Sequence, residues 1–94
     1  MRRLAWDTSF RRAFKRRTRN DPSAQDRIYR VLEKLAEDPF HPTLKTHKLS
    51  GQLKGLWACW VEYDCRIIFT FEPNPEAQEA TLVLIDLGTH DEVY

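Results

Sequence analysis

Two residues in the second half of this sequence have side chains suited to chemistry on an anionic substrate. His90 follows a Gly-Thr pair, and an imidazole with a pKa near about 6.5 can take up or release a proton at neutral pH. Arg66 is the only Arg or Lys after Lys54 and lies in an apolar segment. A guanidinium in such surroundings requires an anion, and a phosphate matches its bidentate geometry. A salt bridge to Glu62 or Asp86 is the alternative.

We expect His90, Arg66 and Asp64 to converge on one cleft, with Tyr94 and the segment from His47 to Lys54 at its rim. Asp64 lies two residues before Arg66, where its carboxylate can accept a proton or orient a histidine; the alternative is an aspartate that only forms a turn. Tyr94 can stack on a base or donate its hydroxyl. Its alternative is a disordered chain end.

Basic residues in the first half of the chain form two groups that can bind backbone phosphates. Residues 1–55 contain 14 Lys and Arg against 6 Asp and Glu, whereas residues 56–94 contain 1 against 8. This asymmetry favours a basic face that binds a polyanion, although two solvated surfaces that neutralise each other are the alternative. The candidate polyanion-binding residues are Lys45, Lys48 and Lys54, near His47, and Arg11, Arg12, Lys15 and Arg16.

The elements that position these residues begin with two predicted helices. An Asp-Thr-Ser run at residues 7–9 can cap the first helix, and Asp21 can cap the second. Pro39 ends the second helix, because the residue before a proline disfavours helical geometry. The positions expected to pack against a sheet are Phe10, Ala13 and Phe14 in the first helix and Ile28, Val31, Leu32 and Leu35 in the second.

Runs of β-branched and aromatic residues predict four strands. A tight turn around Tyr63 and Asp64 joins the middle two, and residues 40–55 are expected to form a loop. The order βααβββ predicts an α+β fold, in which a small, mainly antiparallel twisted sheet carries a two-helix hairpin in one domain, residues 1–94. The predicted strands are Leu4–Trp6, Leu56–Tyr63, Cys65–Phe71 and Thr81–Leu87, with a short tail after Gly88.

Composition excludes several classes of protein. The hydrophobic fraction of 41% is too high for a disordered chain, and no apolar run approaches the roughly 18 residues of a membrane span. The N-terminus lacks the apolar stretch of a secretion signal, so we expect a cytoplasmic protein without membrane association. Cys59 and Cys65 match no disulfide or metal motif, and the three histidines have no ligand spacing. We therefore expect free thiols and no metal or other cofactor.

Three segments together resemble the RelE/ParE superfamily of toxins from type II toxin-antitoxin systems. They are residues 47–57 (HKLSGQLKGLW), residues 62–69 (EYDCRIIF) and residues 88–94 (GTHDEVY). The sequence is most similar to the YafQ-like branch, in which a loop His, a hairpin Asp and a C-terminal Gly-Thr-His correspond to His47, Asp64 and His90. One departure is Trp60, where many YafQ-like toxins have a second histidine.

The resemblance implies a RelE-like fold and a metal-independent endoribonuclease that cleaves messenger RNA, with the ribosome positioning the substrate. It assigns roles to His90, Asp64, Arg66 and His47, which together with Tyr94 are the candidate catalytic residues. It also implies a cognate antitoxin that binds the monomeric toxin. The alternatives are a ParE-like inhibitor of DNA gyrase that performs no chemistry, and a non-catalytic RNA-binding module in which His90 and Arg66 only bind phosphate.

Overall fold

The computed structural model describes all 94 residues and confirms the predicted α+β class. Single turns of 3₁₀ helix at Pro42–Leu44 and Gly51–Leu53 interrupt the segment that joins the helices to the central strands. No helix combines the length and the hydrophobicity needed to cross a lipid bilayer. The elements are β1 (Leu4–Trp6), α1 (Thr8–Thr18), α2 (Pro22–Glu37), β2 (His47–Lys48), β3 (Trp57–Glu62), β4 (Cys65–Glu72), β5 (Thr81–Gly88) and α3 (His90–Val93).

The five strands form one mixed sheet in the order β1-β5-β4-β3-β2. β1 pairs with β5 in parallel, and every other pair is antiparallel. The four predicted strands are present with boundaries that shift by one residue or less, and Tyr63 and Asp64 form the tight turn between β3 and β4. The prediction of an unbroken loop over residues 40–55 is wrong at β2, which pairs with β3 at only two positions and is too short to produce a sequence pattern.

Both long helices pack on one face of the sheet, which we call the helix face. Asp21 caps α2 as predicted, since its side chain accepts a hydrogen bond from the Ala24 backbone N–H. The helix stripes are confirmed, because most of their members are buried and Phe14 and Val31 pack partly buried against the same core. The fully buried residues of this core include Phe10, Ile28, Leu35, Ile67, Phe69, Leu82 and Leu84.

The opposite face of the sheet, which we call the distal face, has a much smaller apolar cluster. Ala58 of β3 and Ile68 of β4 form it with Val93 of α3. The predicted tail is therefore wrong, because the chain ends in a helical turn that packs on the sheet. Thr89 and Glu92 cap this turn reciprocally, each side chain accepting a hydrogen bond from the other residue's backbone N–H.

Candidate active site

Arg66 lies on the distal face, between two neighbouring strands. Its Cα is paired with Trp60 of β3 and with Gly88 of β5. The side chain is half-buried, and its Nη1 atom donates to three backbone carbonyl oxygens at the hairpin turn. They belong to Glu62 (2.7 Å), Tyr63 (3.1 Å) and Cys65 (3.2 Å). These contacts hold one arm of the guanidinium in a defined position.

No carboxylate neutralises Arg66. The Glu62 carboxylate forms its ion pairs with Arg17 and Arg27, and Asp86 accepts a hydrogen bond from the backbone N–H of the next residue. The salt bridges considered as the alternative role for Arg66 are therefore not formed. Its Nε and Nη2 groups make no hydrogen bond, which leaves a charged fork able to bind an external anion.

Tyr94 packs against His90 and lies near the charge of Arg66. The rings of His90 and Tyr94 pack edge to face, with their centroids 4.3 Å apart. Burial raises the pKa of the Tyr94 hydroxyl, and the nearby charge of Arg66 opposes this rise. Tyr94 thus stays protonated at neutral pH and can donate a hydrogen bond. The imidazole of His90 is 68% exposed, so it is accessible to a substrate.

The capping of α3 determines where His90 and Tyr94 lie. His90 is the first residue of this turn, and the Tyr94 N–H donates to its carbonyl oxygen (3.0 Å). The hydrogen bond from the Thr89 N–H lowers the pKa of Glu92, so the capping carboxylate is ionised at neutral pH. A Cβ at Gly88 would lie only 2.7 Å from Glu92 Oε1, which explains why glycine suits this position.

Part of the segment before β3 lies beside Tyr94. A shallow pocket there is lined by Leu49, Ser50, Gln52, Leu53 and Tyr94. His47 is paired with Ala58 and therefore lies on the distal face, where its Nδ1–H donates to the Lys45 carbonyl oxygen (2.9 Å). This bond leaves Nε2 available for proton transfer.

The three lysines of this segment do not share one surface. Lys45 lies over the ring of Trp60, with its Nζ atom 5.1 Å from the ring centroid. Lys48 is paired with Trp57 and lies over that ring, on the helix face. Lys54 is exposed after the second 3₁₀ turn. Among the three, Lys45 is the one that contacts Trp60, the residue paired with Arg66.

Asp64 has a different environment from the one expected. Its carboxylate accepts a 2.8 Å hydrogen bond from Arg17 Nη2, and it lines a pocket of about 440 Å³ between the hairpin turn, α1 and α2. Arg17, Arg27, Glu62 and Glu92 line the same pocket, which we call the hairpin pocket. The expectation that Asp64 points into one cleft with His90 and Arg66 is wrong, because the bulge before Glu62 and the cation on α1 direct it toward the helix face.

The basic residues of α1 are free of ion pairs at the four positions predicted to bind RNA. Arg11, Arg12, Lys15 and Arg16 are all exposed and form no salt bridge within 4.0 Å. The prediction missed Arg17, which lies in the same basic run but bonds to Asp64. Its burial beside the hairpin turn has no local sequence signal.

Both cysteines are free, as predicted, and lie buried on β3 and β4. Burial raises the pKa of Cys59 to about 12 and that of Cys65 to about 11, so both remain thiols at neutral pH. No three His, Cys, Asp or Glu side chains lie close enough together to hold a metal ion.

The solved structures similar to this chain share its whole fold. A metal-bound toxin from Helicobacter pylori is 28% identical, with a TM-score of 0.77 and complete coverage of both chains. YafQ from E. coli strain BL21(DE3) is 18% identical, with a TM-score of 0.76 over 100% of this chain and 99% of that one. YafQ in the E. coli DinJ-YafQ toxin-antitoxin complex is 18% identical, with a TM-score of 0.74 over 99% and 97%. These structures define the class as a RelE-like toxin fold.

The family within this class follows from the sequence. Residues 2–94 match the family model described as the bacterial toxin of type II toxin-antitoxin system, YafQ. The chain belongs to this family and is a type II toxin. A comparison with curated protein sequences finds no match.

Proposed function

We propose that this chain is an endoribonuclease that cleaves messenger RNA on the ribosome and that a cognate antitoxin holds it inactive. The observation that carries the proposal is the environment of Arg66. This residue is half-buried, one arm is held by three carbonyl oxygens, no carboxylate neutralises it, and His90 and Tyr94 lie on the same side of the sheet. An anion-binding fork beside groups that can transfer or donate a proton fits phosphodiester chemistry.

The proposed reaction is attack of a ribose 2′-OH on the adjacent phosphorus. A base accepts the 2′-OH proton while the new O–P bond forms, and an acid protonates the 5′-oxygen as its bond to phosphorus breaks. The products are a 2′,3′-cyclic phosphate and a 5′-OH end. We assign one proton transfer to His90 and the other to His47, phosphate binding to Arg66, and hydrogen-bond donation to Tyr94. These side chains supply the proton transfers and the positive charge, so the proposed reaction uses no metal ion.

Binding to the ribosome is supported by the exposed cations of α1. Positive side chains without carboxylate partners bind nucleic acid by releasing counterions, which gives strongly salt-dependent affinity. We assign the contacts with ribosomal RNA to Arg11, Arg12, Lys15 and Arg16, and contacts with the message to Lys45, Lys48 and Lys54.

An antitoxin partner is supported by the E. coli complex of DinJ with YafQ. We propose that this chain likewise folds as one domain and binds its own antitoxin as a monomer. Acidic segments in that partner would complement the basic face.

Cell-free translation tests the proposal. Adding the protein should rapidly cleave a reporter message, and adding antitoxin should protect it. His90→Gln preserves a polar side chain of similar reach but cannot exchange a proton at neutral pH. We expect this variant to cleave about 10²- to 10⁴-fold more slowly and to bind antitoxin as well as the wild type does.

Two results would contradict the proposal. An intact message together with blocked DNA supercoiling by gyrase would identify the toxin as a gyrase inhibitor. A folded, soluble His90→Gln protein with wild-type cleavage would remove His90 from the chemistry and shift the assignment to His47.

A further inference from the structure

A small pocket lies at the outer edge of β3, beyond Ala58, where the pairing with β2 stops. β2 pairs only with Trp57 and Ala58, so on this outer side no strand pairs with Trp60 or Val61. The pocket that results has a volume of about 200 Å³ and is bounded by α2 and by the 3₁₀ turn at Pro42–Leu44. This volume is below the roughly 300 to 1,000 Å³ of drug-sized ligand sites, so the pocket suits one planar ring system.

Cations dominate the charge of this pocket, which we call the Trp60 pocket. Arg30 and Lys34 line it from α2, and no carboxylate is among its lining residues. Both are exposed, and neither forms a salt bridge within 4.0 Å. They are four residues apart on one helix, an arrangement in which like charges repel each other. No carboxylate in the lining offsets these charges, so the pocket is positively charged.

Trp60 supplies the aromatic surface of the pocket, and Lys45 adds a third cation. The Lys45 Nζ atom lies 5.1 Å from the centroid of the indole ring. The backbone of Lys45 has a φ of 51°, in the left-handed region that is uncommon for residues other than glycine. This conformation ends the Pro42–Leu44 turn.

The position of the pocket relative to Arg66 is set by the sheet. Trp60 and Arg66 are paired on adjacent strands, which lie about 4.8 Å apart. Trp60 is therefore the residue of this pocket that neighbours Arg66 across the sheet, and a base stacked on Trp60 would lie one strand away from Arg66.

We propose that the Trp60 pocket binds one nucleotide of single-stranded RNA, with the base stacked on Trp60 and its phosphate held by Arg30, Lys34 and Lys45. The proposal rests on the function proposed above, since it places this nucleotide next to the cleaved phosphate. Base stacking on an aromatic side chain accepts any base, so the pocket positions RNA without reading its sequence.

Fluorescence anisotropy with a short, fluorescein-labelled single-stranded RNA tests the pocket. Every protein carries His90→Gln, so that the RNA stays intact and binding is measured apart from cleavage. Trp60→Leu should weaken binding about 5- to 100-fold, whereas Trp60→Phe should retain most of the affinity. Parent-like binding by a folded Trp60→Leu protein would overturn the stacking role.

Charge is tested with a matched pair of double variants. Arg30→Gln with Lys34→Gln should weaken binding and reduce the slope of log affinity against log salt by roughly 0.7 for each lost phosphate contact. Arg3→Gln with Arg19→Gln removes the same charge from exposed positions outside the pocket and should bind like the parent. Equal losses in the two double variants would overturn the proposal. Both pairs lie on the surface, so this test does not depend on how well Trp60→Leu folds.

Two further outcomes separate the pocket from the proposed function. If the wild type cleaves no RNA but the pocket variants still lose RNA binding, the proposed function fails and the pocket stands. If the wild type cleaves and the pocket variants bind RNA like the parent, the pocket alone is wrong. Pocket variants that lose only antitoxin affinity would make this surface a protein interface and would also overturn the proposal.

Discussion

The two faces of the sheet differ in what fills them. The helix face is covered by α1 and α2 and holds a core of 14 buried residues, including Phe10 and Phe69. The distal face holds three, namely Ala58, Ile68 and Val93. Leu49, Leu56 and Ile85 pack partly buried against these three. Arg66 and His47 lie on the same face, at registers where an apolar side chain would have extended the core.

This difference separates stability from chemistry within one sheet. Burial of apolar surface is the main favourable term in folding, so most of it should come from the helix face. The distal face buries little apolar surface. It carries instead the half-buried guanidinium of Arg66, which has no carboxylate partner, the exposed imidazole of His90 and the protonated hydroxyl of Tyr94. Substitutions on the two faces should therefore affect different measurements.

The largest effect on stability is expected at Phe69, which is fully buried on the helix face. Phe69→Ala should lower the free energy of unfolding by about 3 to 5 kcal/mol, because it removes apolar contacts and leaves a cavity. Urea denaturation measures this loss. Tyr94→Ala, at the chain end, should cost far less. Equal losses for the two variants would contradict the division between the faces.

Arg66→Ala should slow cleavage strongly and change stability little, the reverse of the expectation for Phe69→Ala. We expect cleavage to fall about 10²- to 10³-fold, the usual consequence of removing one group that stabilises a developing charge. The free energy of unfolding should fall by only about 1 kcal/mol through the lost hydrogen bonds to carbonyl oxygens. Single-turnover cleavage and urea denaturation of the same preparation give both values. Arg66→Lys keeps the charge but not the fork and should be intermediate in rate.

Gly88→Ala should produce a smaller change that affects both measurements. The added methyl group would displace the Glu92 carboxylate from the Thr89 N–H, and loss of a helix cap costs about 1 kcal/mol. Cleavage should also fall, because the same turn carries His90 and Tyr94. Glu92→Gln retains a capping oxygen and should stay close to the wild type in both assays. Unchanged cleavage by Gly88→Ala would show that the cap does not position the site.

The smallest effect is expected for Asp64→Asn. An exposed ion pair such as that of Asp64 with Arg17 contributes about 0 to 1 kcal/mol, so unfolding should change little. Cleavage should stay near the wild-type rate, since the carboxylate belongs to the hairpin pocket. A rate loss as large as that of His90→Gln would instead place Asp64 in the chemistry and bring the two regions into one site.

Local patterns in the sequence were sufficient for most of the fold. The periodic apolar positions of α2, its Asp21 cap and the β-rich runs on either side of Tyr63 and Asp64 each act within a few residues, so their structure was predictable. The choice of Arg66 and His90 as functional residues also came from local context, a cation within an apolar strand and a histidine after a Gly-Thr pair. Their assigned roles rest further on the resemblance to the toxin superfamily.

The remaining features depend on contacts between residues distant in the chain. β2 exists only because β3 offers it two pairing positions, and Arg17 on α1 binds Asp64 on the hairpin turn. Lys45, whose own backbone is left-handed, places its Nζ atom over the ring of Trp60, 15 residues further along the chain. The sequence alone thus determined the two long helices and the four predicted strands, but not β2 or α3. Only the tertiary structure decided that Asp64 pairs with Arg17 while Arg66 keeps a free fork, because strand register and helix packing set which charges can reach each other.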